Sequence, residues 1–189
     1  MEHFYENVDG WFSPEGAYTE FFNHFTEEPD VIVEVGVWKG KSASFLGVEL
    51  LNRNWKTVKF NLVDTFEGSP EHKGLDKRNL LEITTENLSP LNELSMNIIK
   101  NRSVECSKEF DNDSIDFVFL DARHEYKDVL DDIKSWLPKV KSGGVISGDD
   151  HNATWPGVEK AVKEVFGDNY KKIMIQNREG VYHWWYQKK

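Results

Sequence analysis

The stretch VIVEVGVWKGKSASFLG, residues Val31 to Gly47, decides how the chain is read. Its first half, VIVEVG, has the apolar, β-branched character of a buried strand that stops at a glycine turn. Its second half opens a helix-like pattern over Lys41–Leu51 and contains GKS, the ending of a triphosphate-binding loop. Such a loop needs a glycine, four residues, then Gly-Lys-Ser/Thr, because its backbone N–H groups must wrap a phosphate. Here three residues separate Gly36 from Gly40, and the position that would need glycine holds the β-branched Val35. Glu34 at the strand's end would repel a triphosphate, while suiting a ligand that carries an ammonium group or hydroxyls. A strand–turn–helix junction with no ligand would also use these glycines.

Bulk properties narrow the partners. The 189 residues suit one domain, 1–189, with a sizeable core. A formal charge of −10 argues against nucleic-acid and anionic-membrane partners, since phosphate contacts need clustered Lys and Arg. The single cysteine, Cys106, excludes an intrachain disulfide and a cysteine metal site. It fits a reducing compartment, and with no signal-peptide pattern or long apolar run visible, a cytoplasmic protein is expected. A homo-oligomer is compatible with these features.

Strand-like runs occur at 31–36, 58–64, 96–100, 115–121, 143–149, 171–176 and 181–187. Helical patterns fall between them, at Lys41–Leu51, near Asn87–Leu94, at Val104–Phe110, at Tyr126–Leu137 and from Val158. This alternation predicts an α/β fold with a mostly parallel sheet and helices on both faces. The last two strands are joined only by NREG, too short for a helical crossover, so they should form an antiparallel hairpin. Two segments stand outside the alternation. An N-terminal cap, residues 1–28, holds a helix from about Pro14 to Phe25. A polar insertion, residues 68–87, leaves the end of the second strand and is either a lid over the strand ends or a surface loop. Both carry aromatic or polar side chains suited to a pocket, including Tyr5, Trp11, Phe12 and His72.

The chemistry-bearing residues fall at strand ends, where open α/β sheets bind ligands. Glu34 ends the first strand, Asp64 the second and Asp121 the fourth; Asp149 and Asp150 end the fifth. Asp64 occupies the position from which an acid accepts two ribose hydroxyls. It lies 28 residues after Gly36 rather than the usual ~20, owing to a longer helix–loop. Asp121, Asp149 and Asp150 offer three carboxylates suited to a hard divalent cation such as Mg²⁺. Capping of neighbouring turns and helices is the plainer role for Asp149 and Asp150.

VIVEVGVWKGKS, NLVDTFEGSPEH, IDFVFLDARHEYKDVLDDIKSWLPKVKSGGVISGDDH and TWPGVEKAVKEVF together resemble a class I S-adenosylmethionine-dependent methyltransferase. More narrowly, they resemble the small cephalosporin-hydroxylase-like and macrocin-type sugar O-methyltransferases. YENVDGWF and HWWYQKK extend the resemblance over nearly the whole chain. It implies a Rossmann-like seven-stranded sheet and a cofactor site at Glu34, Gly36, Trp38, Gly40, Ser42, Asp64, Thr65, Ser103 and Asp121. The acid often found just before the serine is Arg102 here. By the same resemblance Asp121, Asp149 and Asp150 are the metal ligands. His124 and His151, both near these acids, are candidate bases.

The expected activity is O-methylation of a small hydroxylated molecule or sugar. A cofactor-binding protein of the same fold without transfer, and a phosphohydrolase suggested by GKS, are the alternatives.

Overall fold

The computed structural model describes residues 1–12, 16–69, 74, 78–175 and 179–189. Seven strands form one sheet: β1 (Val31–Val35), β2 (Lys59–Asp64), β3 (Met96–Lys100), β4 (Ile115–Leu120), β5 (Val140–His151), β6 (Lys171–Met174) and β7 (Tyr182–Gln187). Their order is β3-β2-β1-β4-β5-β7-β6. The first five run parallel, and β7 lies antiparallel to both β5 and β6. The chain therefore reverses its direction of winding between β1 and β4, which opens a crevice at the carboxyl ends of those strands.

The near-continuous apolar runs reflect burial on both faces. Ile32 pairs with Phe117 and Val33 with Val118. Alternation sends Ile32 and Phe117 into one core layer with Phe60, Leu62 and Trp185, and Val33 and Val118 into the other with Val63, Ile146 and Trp184. Helices α1 (Ala17–His24) and α2 (Lys41–Asn52) contribute to the first layer, whereas α5 (Tyr126–Trp136) and α6 (Pro156–Phe166) contribute to the second. α4 (Ser103–Ser107) is a short helix after β3.

The sequence placed a helix near Asn87–Leu94; the structure has α3 at Leu80–Leu88, followed by a 3-10 turn at Ser89–Leu91. Leu80, Thr84 and Leu88 recur every four residues and are all buried, and Pro90 stops the α-helix. The second half of the insertion is thus a packed helix. Thr84 Oγ1 donates to the Trp38 carbonyl at 2.6 Å, and Asn87 Nδ2 to that of Lys39 at 2.9 Å. His72 and the rest of 70–73 and 75–77 lie outside the described residues, as do the expected helix start at Pro14 and the strand end at Gln176. β5 is longer than the 143–149 expected from its apolar run and carries Asp149, Asp150 and His151 within the strand.

Candidate active site

The glycine turn is held from two sides. Gly36 has φ 90°, and a Cβ there would lie 1.8 Å from the Asp121 carbonyl oxygen, so only glycine lets β1 press against the end of β4. Across the turn, Asp64 Oδ2 accepts the backbone N–H groups of Val37 and Trp38 at 2.8 and 2.9 Å. Its Oδ1 accepts that of Phe66 at 2.7 Å. The carboxylate thus joins the ends of β1 and β2. Trp38, Phe66 and Asp150 all have positive φ, at 50°, 54° and 58°. Such backbone strain in non-glycine residues gathers at functional sites.

Glu34 is 1% exposed and lies behind the turn. Tyr18 Oη donates to its Oε2 and Ser42 Oγ to its Oε1, each at 2.6 Å. Burial pushes its carboxyl up to about 7 against these two hydrogen bonds. The serine of GKS is thereby committed to Glu34, which removes the hydroxyl that a phosphate loop would offer to a metal. Gly40, with φ 87°, packs against the Leu88 side chain.

At the ends of β4 and β5, His124 Nε2 lies 2.8 Å from Asp150 Oδ2 and 3.8 Å from Asp121 Oδ1. Its ring packs against Trp155, with centroids 4.5 Å apart and planes tilted by 31°. Burial alone would lower its pKa, but Asp121 and Asp150 outweigh this and raise it to about 10. Burial pushes Asp121 up to about 6, with Asp149 and Asp150 adding to the rise and His124 opposing it. Asp149 turns elsewhere. His183 Nε2 is 3.1 Å from its Oδ1, and despite burial this contact holds the carboxyl below its usual range.

These groups share one cleft of about 930 Å³. Gly36, Trp38, Ser42, Asp64, Thr65, Ser103, Asp121, His124, Asp149 and Asp150 all line it. Glu34, Gly40 and His151 do not. His151 is 1% exposed, and its Nε2 lies 2.9 Å from the Tyr170 hydroxyl. Trp11 and Phe12 of the N-terminal cap reach the cleft, as do Gly68 and Ser69 at the start of the insertion. Among the described residues, the metal-compatible group is Asp121, His124 and Asp150, whose ligand atoms all lie within 4.8 Å of one another. It differs from the expected trio by exchanging Asp149 for His124, because Asp149 is drawn to His183.

A methyltransferase-domain family model matches residues 33–151, more than half of the chain. The chain belongs to that family. Its fold is shared with the O-methyltransferase NovP, with 19% identity and a TM-score of 0.65 over 85% of this chain and 72% of NovP. CalS11, a TDP-rhamnose 3'-O-methyltransferase of calicheamicin biosynthesis, gives 17% identity and a TM-score of 0.64 over 87% and 75% of the two chains. An rRNA methylase from Streptococcus thermophilus gives 14% and 0.62 over 95% and 99%. No curated protein matches significantly in sequence. The class I methyltransferase resemblance and the seven-stranded Rossmann-like sheet are thus both borne out. Among the described residues of this methyltransferase, no helix is long and apolar enough to cross a membrane.

Several site residues of the methyltransferase carried no sequence signal of their own. Tyr18 of α1 meets Glu34 behind the glycine turn, and His183 of β7 meets Asp149 at the end of β5, each only through the fold. Asp132 sits mid-helix in α5, and its spacing from Asp128 and Asp131 looks like an ordinary solvated face. Yet it is 7% exposed and lines the cleft.

Proposed function

We propose that this methyltransferase moves the methyl group of S-adenosylmethionine to a hydroxyl of a small molecule, and that a divalent cation assists. The observation that carries the reading is the shared cleft. The Asp64-braced glycine turn and the Asp121–His124–Asp150 cluster face the same space. The cofactor supplies a methyl group on a positively charged sulfur, which an acidic rim favours. Asp64 retains a lone pair on Oδ1 for a ribose hydroxyl, and the Gly36–Ser42 turn presents backbone to the amino-acid part. Glu34 acts from behind, fixing the turn through Ser42.

Asp121 and Asp150 fit a divalent ion in donor type and spacing, with Asp149 adjacent and His124 beside them. Such an ion would lower the pKa of a coordinated hydroxyl. His124 is the proton acceptor in this reading. Its proton is held by the two carboxylates that face it. Once those carboxylates have another cation to neutralise, the imidazole loses what keeps it charged and becomes a base. His151, turned to Tyr170 outside the cleft, has no route to the acceptor. The surface charge and the acid-rich cleft support a small-molecule acceptor over a nucleic acid. Incubation with methyl-labelled cofactor, Mg²⁺ or Mn²⁺ and a panel of sugars, phenols, amines and thiols tests the reading. Label in an ether product supports it; label only on nitrogen or sulfur acceptors refutes it.

A further inference from the structure

The N-terminal cap has two fixed points at the cleft. At the first, Gly10, with φ 140°, lies on the glycine turn, where a Cβ would stand 3.2 Å from Trp38 Cδ1. Beside it Asp9 pairs with Lys39 at 2.5 Å, and Val8 is buried. At the second, Gly16 packs on the His183 ring and the Ala17 N–H donates to it, while His183 holds Asp149 at the end of β5. Phe12 packs its ring against Tyr5, Tyr18 and Phe45. The cap therefore leads from the cofactor turn toward the acid cluster, and its backbone is held on both sides of Trp11.

Trp11 itself is 66% exposed and lines the cleft. The other indoles there are engaged: Trp155 packs against His124, and Trp38 carries Gly10 and the Lys39 ammonium, 5.6 Å from its ring centroid. The Trp11 and Trp38 rings stand 6.3 Å apart and tilted by 36°, so they do not cover one another face to face. A single exposed apolar side chain is ordinary on a protein surface. This one stands on a fixed backbone at the edge of a cleft, where an indole offers a large contact area at the loss of only two torsional freedoms. Its electron-rich face suits a flat partner, either an offset aromatic ring or a ring face covered with C–H groups.

We infer that Trp11 is a specificity-determining residue that stacks on the methyl acceptor, so that the reacting hydroxyl is carried by a rigid ring, a phenol or a pyranose, rather than by an open chain. This rests on the reading above of methyl transfer from S-adenosylmethionine to a hydroxyl. The ring lies on Trp11 while its hydroxyl edge faces Asp121 and Asp150, which line the same cleft. An open-chain polyol presents no flat face to the indole and gives up more rotational freedom on binding.

The test is an NMR titration of the full chain, saturated with S-adenosylhomocysteine and Mg²⁺, with catechol, methyl α-D-glucopyranoside and sorbitol. At least one ring probe should bind, and sorbitol should bind at least about tenfold more weakly. Binding of catechol alone marks a phenol acceptor, and of the glucoside alone a sugar. Trp11→Ala should weaken the ring probe at least about tenfold while S-adenosylhomocysteine affinity, measured by calorimetry, changes less than about threefold. Trp11→Phe keeps an aromatic face and should stay within about threefold of the parent chain. Because Trp11 is exposed, both variants should fold like the parent. Absence of ring-probe binding, sorbitol binding equal to that of the rings, or an unchanged ring-probe affinity in Trp11→Ala overturns the inference. So does an equal loss of S-adenosylhomocysteine in Trp11→Ala, which would make Trp11 a cover for the cofactor. Failure of the parent chain to bind S-adenosylhomocysteine would instead refute the S-adenosyl reading.

Discussion

His183 Nε2 lies 3.1 Å from Asp149 Oδ1. The other ring nitrogen, Nδ1, accepts the Ala17 N–H at 2.8 Å, so the proton resides on Nε2 and points at the carboxylate. One ring thus ties the first turn of α1 to the end of β5 and draws Asp149 away from Asp121 and Asp150. Replacement by leucine leaves a buried N–H and a carboxylate without this partner. His183→Leu should lose about 1–3 kcal/mol of stability in urea unfolding, in line with the cost of an unsatisfied buried polar group. Unchanged stability would show that the contact is incidental.

Asp64 should matter to both the fold and the ligand. It accepts three backbone N–H groups that order the turn. Charge-assisted bonds of this type are worth about 1.5–3 kcal/mol, so Asp64→Ala should weaken S-adenosylhomocysteine at least tenfold and lower the melting temperature. Asp64→Asn, which keeps one acceptor oxygen, should fall between. Equal binding by all three proteins would remove Asp64 from the cofactor site.

Glu34 gives the chain a pH signature. Its carboxyl titrates near 7 in the fold against an ordinary value of 4.5, chiefly because it is buried. The fold therefore favours the protonated form. The stability this contributes is complete below 4.5 and is lost as pH rises through 7. The span corresponds to on the order of 3 kcal/mol. Glu34→Gln should flatten that part of the stability–pH curve, because the amide does not ionise. A parent chain and variant with parallel curves between pH 4.5 and 7 would contradict the shift.

The strand ends were legible because composition and spacing fix them. Five acids at the ends of parallel strands must share a rim once the sheet forms, and four of them line the cleft. The fifth, Glu34, belongs to the same turn but is sealed behind it by Tyr18, a contact that no local pattern encodes. The resemblance places Gly36 in the cofactor site. The fold adds a constraint of its own, the backbone of Asp121, so Gly36→Ala should destabilise the chain whether or not ligand is present. The insertion misled for a different reason. Its polar composition suggested a loop, whereas two leucines, Leu80 and Leu88, with the hydrogen-bonded Thr84 between them suffice to pack α3 on the turn. The exchange of His124 for Asp149 in the acidic cluster depends on His183, 34 residues further along the chain, and was out of reach of motif spacing.

The cluster predicts a separation of functions. Asp150→Ala removes a ligand and the closest partner of His124. It should abolish Mn²⁺ binding measured by electron paramagnetic resonance while leaving S-adenosylhomocysteine affinity within about threefold, less than the tenfold that 1.4 kcal/mol represents. Retained Mn²⁺ binding would show that the ion, if used, sits elsewhere.

The central claim is that the turn between β1 and α2 serves a sulfur-linked adenosyl amino acid rather than a triphosphate. Isothermal titration of the full chain with S-adenosylhomocysteine, and separately with Mg²⁺-ATP, tests it directly. The account predicts saturable one-to-one binding of the first and none of the second. Binding of ATP without S-adenosylhomocysteine would contradict it.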